Sequence, residues 1–352
     1  MTPDEKKGIK ITAEDLASIT LQPPVPAAAP AVDGKPRVYG NIHGEPTSAP
    51  DVPEQKGSIF LKAWVYLGIA GFFGAFIAWG ICEPGFLDGG GGSRWGNVLI
   101  VPLVVTLMCM FLSIAESIVE RSVKRALTRG GLALVVGFIF GFVFYGVANI
   151  VFAIGLGIVQ GMGLLNEHNP AFWVTRGLAW AVFGAAGGIV YGLIGKSMKK
   201  GQYGVIGGLL GAGIGGGIFD PIAFVTGGGA PSRAIGFGLF GLATGVAIGI
   251  VESAFKERWL YVASGPLAGK QFILYKQFTS IGSRQECDIY LFKDQSIAPD
   301  HAALEMRGSH VQLNALGEVY ISGQPVRSRV LQSGDLIQIG RYAFRYQERQ
   351  KS

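Results

Sequence analysis

Few residues in this chain stand at spacings that could do chemistry. Gly211-Ala212-Gly213-Ile214-Gly215-Gly216 satisfies the GxGxxG pattern with which a dinucleotide fold cradles a pyrophosphate, and Gly195-Lys196-Ser197 has the ending of a phosphate-binding loop. The first lies within a predicted apolar helix, with neither a preceding strand nor an acidic residue at the ribose position. The second has Val190 where the loop's first glycine belongs and closes an apolar segment. Neither is read as nucleotide-binding. His43, His168, His301 and His310 are not grouped with cysteine or carboxylate at metal-ligand spacing. Cys82, Cys109 and Cys287 sit in three separate contexts, which leaves neither a disulfide framework nor a CxxC site. With no GxSxG elbow and no paired-acid constellation, no catalytic residue, metal or cofactor is expected, and the chain is not read as an enzyme.

The elements that position these residues are mostly apolar. Of 352 residues 49% are hydrophobic and only 15% charged, too apolar for one soluble domain and long enough for several spans plus a module of roughly 90 to 100 residues. The solvent changes near Phe255. Upstream lie long glycine-rich apolar segments; downstream, from Trp259 to Gln347, the chain is polar and alternating. The net charge of +6 comes mostly from basic residues at the ends of apolar segments, so these read as topology signals and not as a nucleic-acid stripe. Residues 1–57, rich in proline and alanine around Pro23 to Pro30, cannot bury a core and read as a disordered tail. Within it, Thr12 could cap a short helix from Ala13 to Ile19, with Asp15 in the capping-box position. No apolar stretch follows Met1, so the first span is expected to serve as its own insertion signal.

Residues 58–255 are expected to form a membrane domain of six glycine-rich helices, at about 63–82, 98–115, 132–159, 177–194, 203–219 and 234–251. Each is near or above the ~17 residues needed to cross a ~30 Å hydrocarbon core. The fifth carries eight glycines and ends at Asp220-Pro221, so a re-entrant or broken helix is its rival reading. Ser122 to Arg129, Lys196 to Lys200, and Lys256 with Arg258 are basic, whereas the alternate loops hold Glu83, Asp88, Glu167 and Asp220 with Arg94, Arg176 and Arg233. By the positive-inside rule the basic loops face the cytoplasm of a bacterial-type inner membrane, and both termini lie inside.

Glycines recur eight and twelve residues after a base: Gly137 and Gly141 after Arg129, Gly184 and Gly188 after Arg176, Gly207 and Gly211 after Lys199, Gly241 and Gly245 after Arg233. Two readings stand. Spans three and four form a hairpin duplicated as spans five and six, or glycine-rich helices simply match a glycine template. In either case small residues four apart make a flat face for close helix packing. Asn149 and Tyr145, one turn apart, offer either an interhelical hydrogen bond or the lining of a polar path. No acidic or basic residue is expected well inside a span, which argues against an ion-coupled pump.

Residues 256–352 read as a soluble β-sandwich, with short alternating segments such as Gln271 to Leu274, Ala302 to Met306, His310 to Leu313 and Leu336 to Ile339. Within them, Ser280-Ile281-Gly282-Ser283, Cys287-Asp288-Ile289, Ile297 to Ala302, Ile321-Ser322-Gly323 and Gly334-Asp335-Leu336-Ile337-Gln338-Ile339-Gly340 follow the order and spacing of a forkhead-associated domain. This last quarter of the chain resembles that family. The resemblance implies phosphothreonine-peptide binding by loops at one end of the sandwich, through an arginine after the first glycine, a serine three residues before the histidine, and an asparagine in a later loop. Here Ser283 stands at the arginine, Ala298 at the serine and Ser322, before Gly323, at the asparagine, while His301 keeps its bracing role. Arg284 either swings in to replace the missing arginine or stays a solvated surface group. Losing the charge-assisted arginine contact matters most.

The expected function is therefore binding: a membrane scaffold or assembly subunit whose domain docks a cytosolic or membrane protein partner, largely without phosphate. A homo-oligomer or a larger membrane complex fits that role, and besides the lipid bilayer and a protein partner no nucleic acid is expected. The alternatives are a phosphothreonine-responsive signalling regulator whose partner is a phosphoprotein, and a channel or carrier gated by the domain.

Overall fold

The computed structural model describes residues 55–88, 94–166 and 168–349. The expected proline-rich tail up to residue 54, with its Ala13–Ile19 helix, and the loop residue Glu167 lie outside the described residues. Among the described residues six helices are long and apolar enough to cross a membrane. They are α1 (Ala63–Cys82), α2 (Trp95–Val119), α3 (Val123–Gly161), α4 (Pro170–Ile194), α5 (Met198–Gly217) with its short continuation α6 (Phe219–Thr226), and α7 (Gly229–Phe255). Each long helix packs on its neighbours in sequence, and α7 closes back on α1, so the helices form a ring.

The helices run past the apolar windows at 98–115, 132–159, 177–194 and 234–251. A hydropathy window stops at the first charge, but Glu, Lys and Arg are good helix formers and the backbone ladder continues through them. Lys124, Arg125 and Arg129 consequently lie on the first turns of α3 and not in a loop, and Glu116, Lys200 and Glu252 lie on the ends of α2, α5 and α7. At 39 residues, α3 is about 58 Å long, well beyond a ~30 Å core. The fifth segment continues through Ile218 into α6, a 29-residue stretch from Met198 to Thr226, with Asp220 paired to Arg176 at 2.7 Å.

The repeated glycines sit at close approaches. A Cβ at Gly184 or Gly188 of α4 would meet the backbone of Gly208 or Gly204 of α5, and one at Gly207 or Gly211 would meet Ile248 or Thr244 of α7. Gly241 and Gly245 face Gly71 and Leu67 of α1, while Gly137 and Gly141 face Thr106 and Pro102 of α2. The glycines of α3 thus face the preceding helix and those of α5 face the next long one, so the two proposed hairpins do not pack equivalently. Asn149 forms neither an interhelical bond nor a polar lining: on the exposed face of α3, its Nδ2 donates to the Tyr145 carbonyl of its own helix at 2.8 Å. Thr106 and Thr244 likewise donate one turn back, to Pro102 and Phe240. A short polar side chain in hydrocarbon finds its nearest acceptor on its own helix.

After Lys256 the chain enters a sandwich of two sheets, ordered β2-β1-β11-β10-β7-β8 and β4-β3-β5-β6-β9. The strands are β1 (Arg258–Ser264), β2 (Gln271–Ile273), β3 (Phe278–Gly282), β4 (Ile289–Tyr290), β5 (Ala302–Arg307), β6 (His310–Ala315), β7 (Tyr320–Ile321), β8 (Gln324–Pro325), β9 (Ser328–Val330), β10 (Leu336–Ile339) and β11 (Tyr342–Glu348). All pairings are antiparallel except β3 with β4. Alternate residues point inward, and Leu260, Val262, Ile281, Leu304, Leu313, Ile339 and Phe344 join one buried core. The described residues thus form six long apolar helices followed by a two-sheet β-sandwich.

Candidate peptide-binding loops and their junction with the membrane helices

Four of the six expected loop residues come together where the β3–β4 and β4–β5 connections meet. The Ser283 N–H donates to the Ala298 carbonyl at 3.0 Å and the Arg284 N–H to the Pro299 carbonyl at 3.3 Å, zipping the two loops. Gly282 permits this approach, since a Cβ there would strike the Pro299 carbonyl. His301, 3% exposed, accepts from the Ala298 N–H at Nδ1 (3.0 Å), and its Nε2 lies 2.9 Å from the Glu318 carbonyl. The imidazole is therefore the Nε2–H tautomer, bracing three loop segments from within. The Leu316 and Gly317 N–H groups both donate to the His301 carbonyl, completing the brace. Arg284 stays at the surface, half exposed, and forms an ion pair there. Its Nη2 pairs with Asp300 Oδ1 at 2.7 Å, a partner that Pro299 and Asp300 bring alongside.

Ser322 and Gly323 form the β7–β8 turn apart from those four, with φ of 52° and 81°. Two successive positive φ values make a two-residue hairpin turn of the type that accommodates asparagine and glycine best, so Ser322 sits there at some strain. The Ser322 N–H donates to the Leu336 carbonyl at 2.9 Å.

The β3–β4 loop has a second attachment that its sequence does not announce. Arg125, on the first turn of α3, donates from Nη2 to the Gln285 carbonyl at 2.9 Å and to the Cys287 carbonyl, and from Nη1 to the Asp288 carbonyl at 3.4 Å. Lys124 adds its N–H to Gln285 Oε1 at 3.2 Å and an ion pair with Glu286. Arg125 is itself held by Glu120 at 2.5 Å, and Glu120 also pairs with Lys270 beside β2 at 2.5 Å. Alongside, Glu116 takes Lys200 at 2.8 Å and Arg129 at 3.3 Å, while Tyr191 donates to Glu252 at 3.4 Å. Burial against these carboxylates raises the Tyr275 phenol well above its ordinary range.

The loop's own groups are tuned by the same environment. Burial works to raise the Asp288 carboxyl, but hydrogen bonds from Lys276 at 2.6 Å and from Ser280 hold it below its ordinary value. Burial, with Asp300 nearby, pushes the Cys287 thiol up, so it is a poor nucleophile. Along the sequence Lys124 and Arg125 look like topology charges; the loop acceptors that give them another role lie about 160 residues away. The nearest local signal is Glu120, an acid placed directly ahead of that basic run.

Residues 261–350 match the family described as "Inner membrane component of T3SS, cytoplasmic domain". Over 86 residues the chain is 36% identical to the glycogen accumulation regulator GarA of Mycolicibacterium smegmatis, covering 24% of this chain and 54% of that protein. It is 37% identical to the oxoglutarate dehydrogenase inhibitor of Corynebacterium diphtheriae, covering 24% of this chain and 59% of that protein. The chain thus spans little more than half the length of these relatives. Among solved structures, the FHA domain of CT664 protein from Chlamydia trachomatis is similar at 24% identity and a TM-score of 0.25, over 27% of this chain and 100% of that one. The C-terminal region is accordingly similar to the cytoplasmic domain of an inner-membrane component and resembles forkhead-associated domains, and it follows a multi-pass membrane region.

Proposed function

We propose that this protein is an assembly subunit of an inner-membrane complex, whose forkhead-associated-type domain docks a protein partner on the cytoplasmic face largely without phosphate. The observation that carries this reading is the grip of Arg125 on the Gln285, Cys287 and Asp288 carbonyls. The β3–β4 loop, which carries the Ser283 and Arg284 contact positions, is here tied to a membrane helix. The domain is then held in one orientation, as a scaffold requires. The contact positions agree: Ser283 and Ala298 lack the groups that would pair with phosphate, and Arg284 is taken up by Asp300. The basic first turns of α3 and α5 and the even number of spans support a cytoplasmic location for both termini. The family match supports membership of a larger membrane assembly.

One observation favours a second reading, a phosphothreonine-responsive regulator. The Arg284–Asp300 pair is half-exposed, and such pairs contribute only about 0–1 kcal/mol, so a phosphate could displace Asp300. Calorimetry on the full chain in mild detergent, with phosphothreonine peptides and their unphosphorylated counterparts, separates the two. Under the scaffold reading phosphate adds little, because each missing charged contact is worth about 1.5 to 3 kcal/mol. Micromolar binding that disappears without the phosphate and on Arg284→Ala would replace it with the regulator.

A further inference from the structure

Where α2 hands over to α3, a groove of about 580 Å³ opens between the two helices. Its walls are apolar, with Met110, Ile114 and Ile118 on one side and Leu127 and Leu134 on the other, and both walls belong to helices of membrane-spanning composition. At its polar end stands Arg121, which alone among the described lining residues carries a charge. Among the described residues no carboxylate pairs with Arg121; its guanidinium lies 5.6 Å from the centre of the Phe292 ring. Arg121 also holds a φ of 55°, which a non-glycine residue adopts at a cost. The hydroxyls of Ser117 and Ser122, which border the groove, are buried with no hydrogen-bond partner among the described residues. Ser122 is the N-cap of α3 but makes no side-chain cap hydrogen bond, so the positive end of a 39-residue helix adjoins the same spot.

We infer that this groove is a site for one anionic phospholipid, with an acyl chain between α2 and α3 and the phosphate at Arg121. A groove in the wall of a spanning hairpin faces hydrocarbon, and what fills it there is an acyl chain. An unpaired guanidinium at the level where that chain ends, next to a helix N-terminus and with no acid among the lining residues, selects a negative headgroup. The site goes beyond the docking role proposed above and does not depend on it. Because Arg121 stacks on Phe292 of the sandwich, and the adjoining Lys124 and Arg125 hold the β3–β4 loop, the bound headgroup lies against the domain's anchor.

The test is native mass spectrometry of the full chain, released from detergent micelles carrying equal phosphatidylglycerol and phosphatidylcholine. The unaltered chain should retain one phosphatidylglycerol with a roughly five-fold preference, the size expected of one arginine at a membrane surface. Arg121→Gly, which suits the positive φ, should abolish the preference while leaving lipid retention intact. Gly131→Leu should abolish retention itself, since Gly131 lines the groove and a Cβ there meets open space, so the added side chain fills the lipid's place without a clash. Equal retention of the two lipids by the unaltered chain, or a preference that survives Arg121→Gly, overturns the inference. So does a dimer that Gly131→Leu converts to monomer, because a second copy would then occupy the groove.

Discussion

Glu120 and Lys270, 150 residues apart in sequence, meet at 2.5 Å with each side chain only 1% exposed, joining the end of a membrane hairpin to the edge of the sandwich. Burying two charges costs several kcal/mol in desolvation, which their attraction offsets only if other hydrogen bonds complete the site. Arg125 supplies the completion by sharing Glu120, so the three groups act as a unit in which Glu120 is the common member.

The sharing sets an order among variants. Glu120→Gln strands two buried cations, whereas Lys270→Met leaves Glu120 paired with Arg125. We expect Glu120→Gln to cost about 3–5 kcal/mol and Lys270→Met clearly less, read as thermal unfolding of the full chain in one detergent. The reverse order would mean that Arg125 does not hold Glu120.

The helix glycines divide by what a methyl group would meet. Gly184 is closed by the Gly208 carbonyl of α5, while Gly146 and Gly157 of α3 have nothing within 4 Å. Gly184→Ala should destabilise by about 1–3 kcal/mol through overpacking. Gly146→Ala should stabilise by up to about 1 kcal/mol, because alanine is the better helix former and the space is open. Unfolding temperatures of the two variants should therefore move in opposite directions; a shift of the same sign in both would deny the close approach of α4 and α5.

The apolar windows and the module's motif order point to helices followed by a β-sandwich, because hydropathy and strand alternation are local properties. The bracing role of His301 comes only from the family resemblance, not from spacing, and its partners Ala298 and Glu318 are seen only in the folded loops. Lys270, Glu120 and Arg125 are not legible as partners, because an ion pair between residues so distant leaves no trace in either segment. Arg284 shows a subtler limit: its partner Asp300 is visible in the sequence, but only the zipping of Ser283 and Arg284 onto Ala298 and Pro299 brings the two side chains together. Asn149 offers an interhelical bond or a polar lining on paper because a sequence does not reveal which face of a helix is exposed.

Topology is open to direct test. Val225, on α6, is 88% exposed, and Leu316, in the loop after β6, is 78% exposed. Cys82, Cys109 and Cys287 are all buried and should give little background. If the termini are cytoplasmic, Val225→Cys should react with an impermeant thiol reagent on intact cells, and Leu316→Cys only after permeabilisation. Labelling of Leu316→Cys in intact cells would invert the proposed orientation.

The acid response of the β3–β4 loop should run through Asp288. Its carboxylate accepts from Lys276 Nζ and from the Ser280 N–H and hydroxyl, and its main-chain carbonyl is one of those gripped by Arg125. Because these bonds hold the folded carboxyl below its ordinary value of 3.8, the folded state binds the proton less readily than the unfolded chain. The stabilisation is therefore present in full above that value and is lost as pH falls through the folded one. Thermal unfolding of the full chain between about pH 6 and pH 3 should show Asp288→Asn less stable than the unaltered chain at the upper end, with the gap narrowing toward the lower. A gap that stays constant across the window would mean that the charge of Asp288 contributes nothing to holding the loop, and that the carbonyl grip of Arg125 alone fixes it.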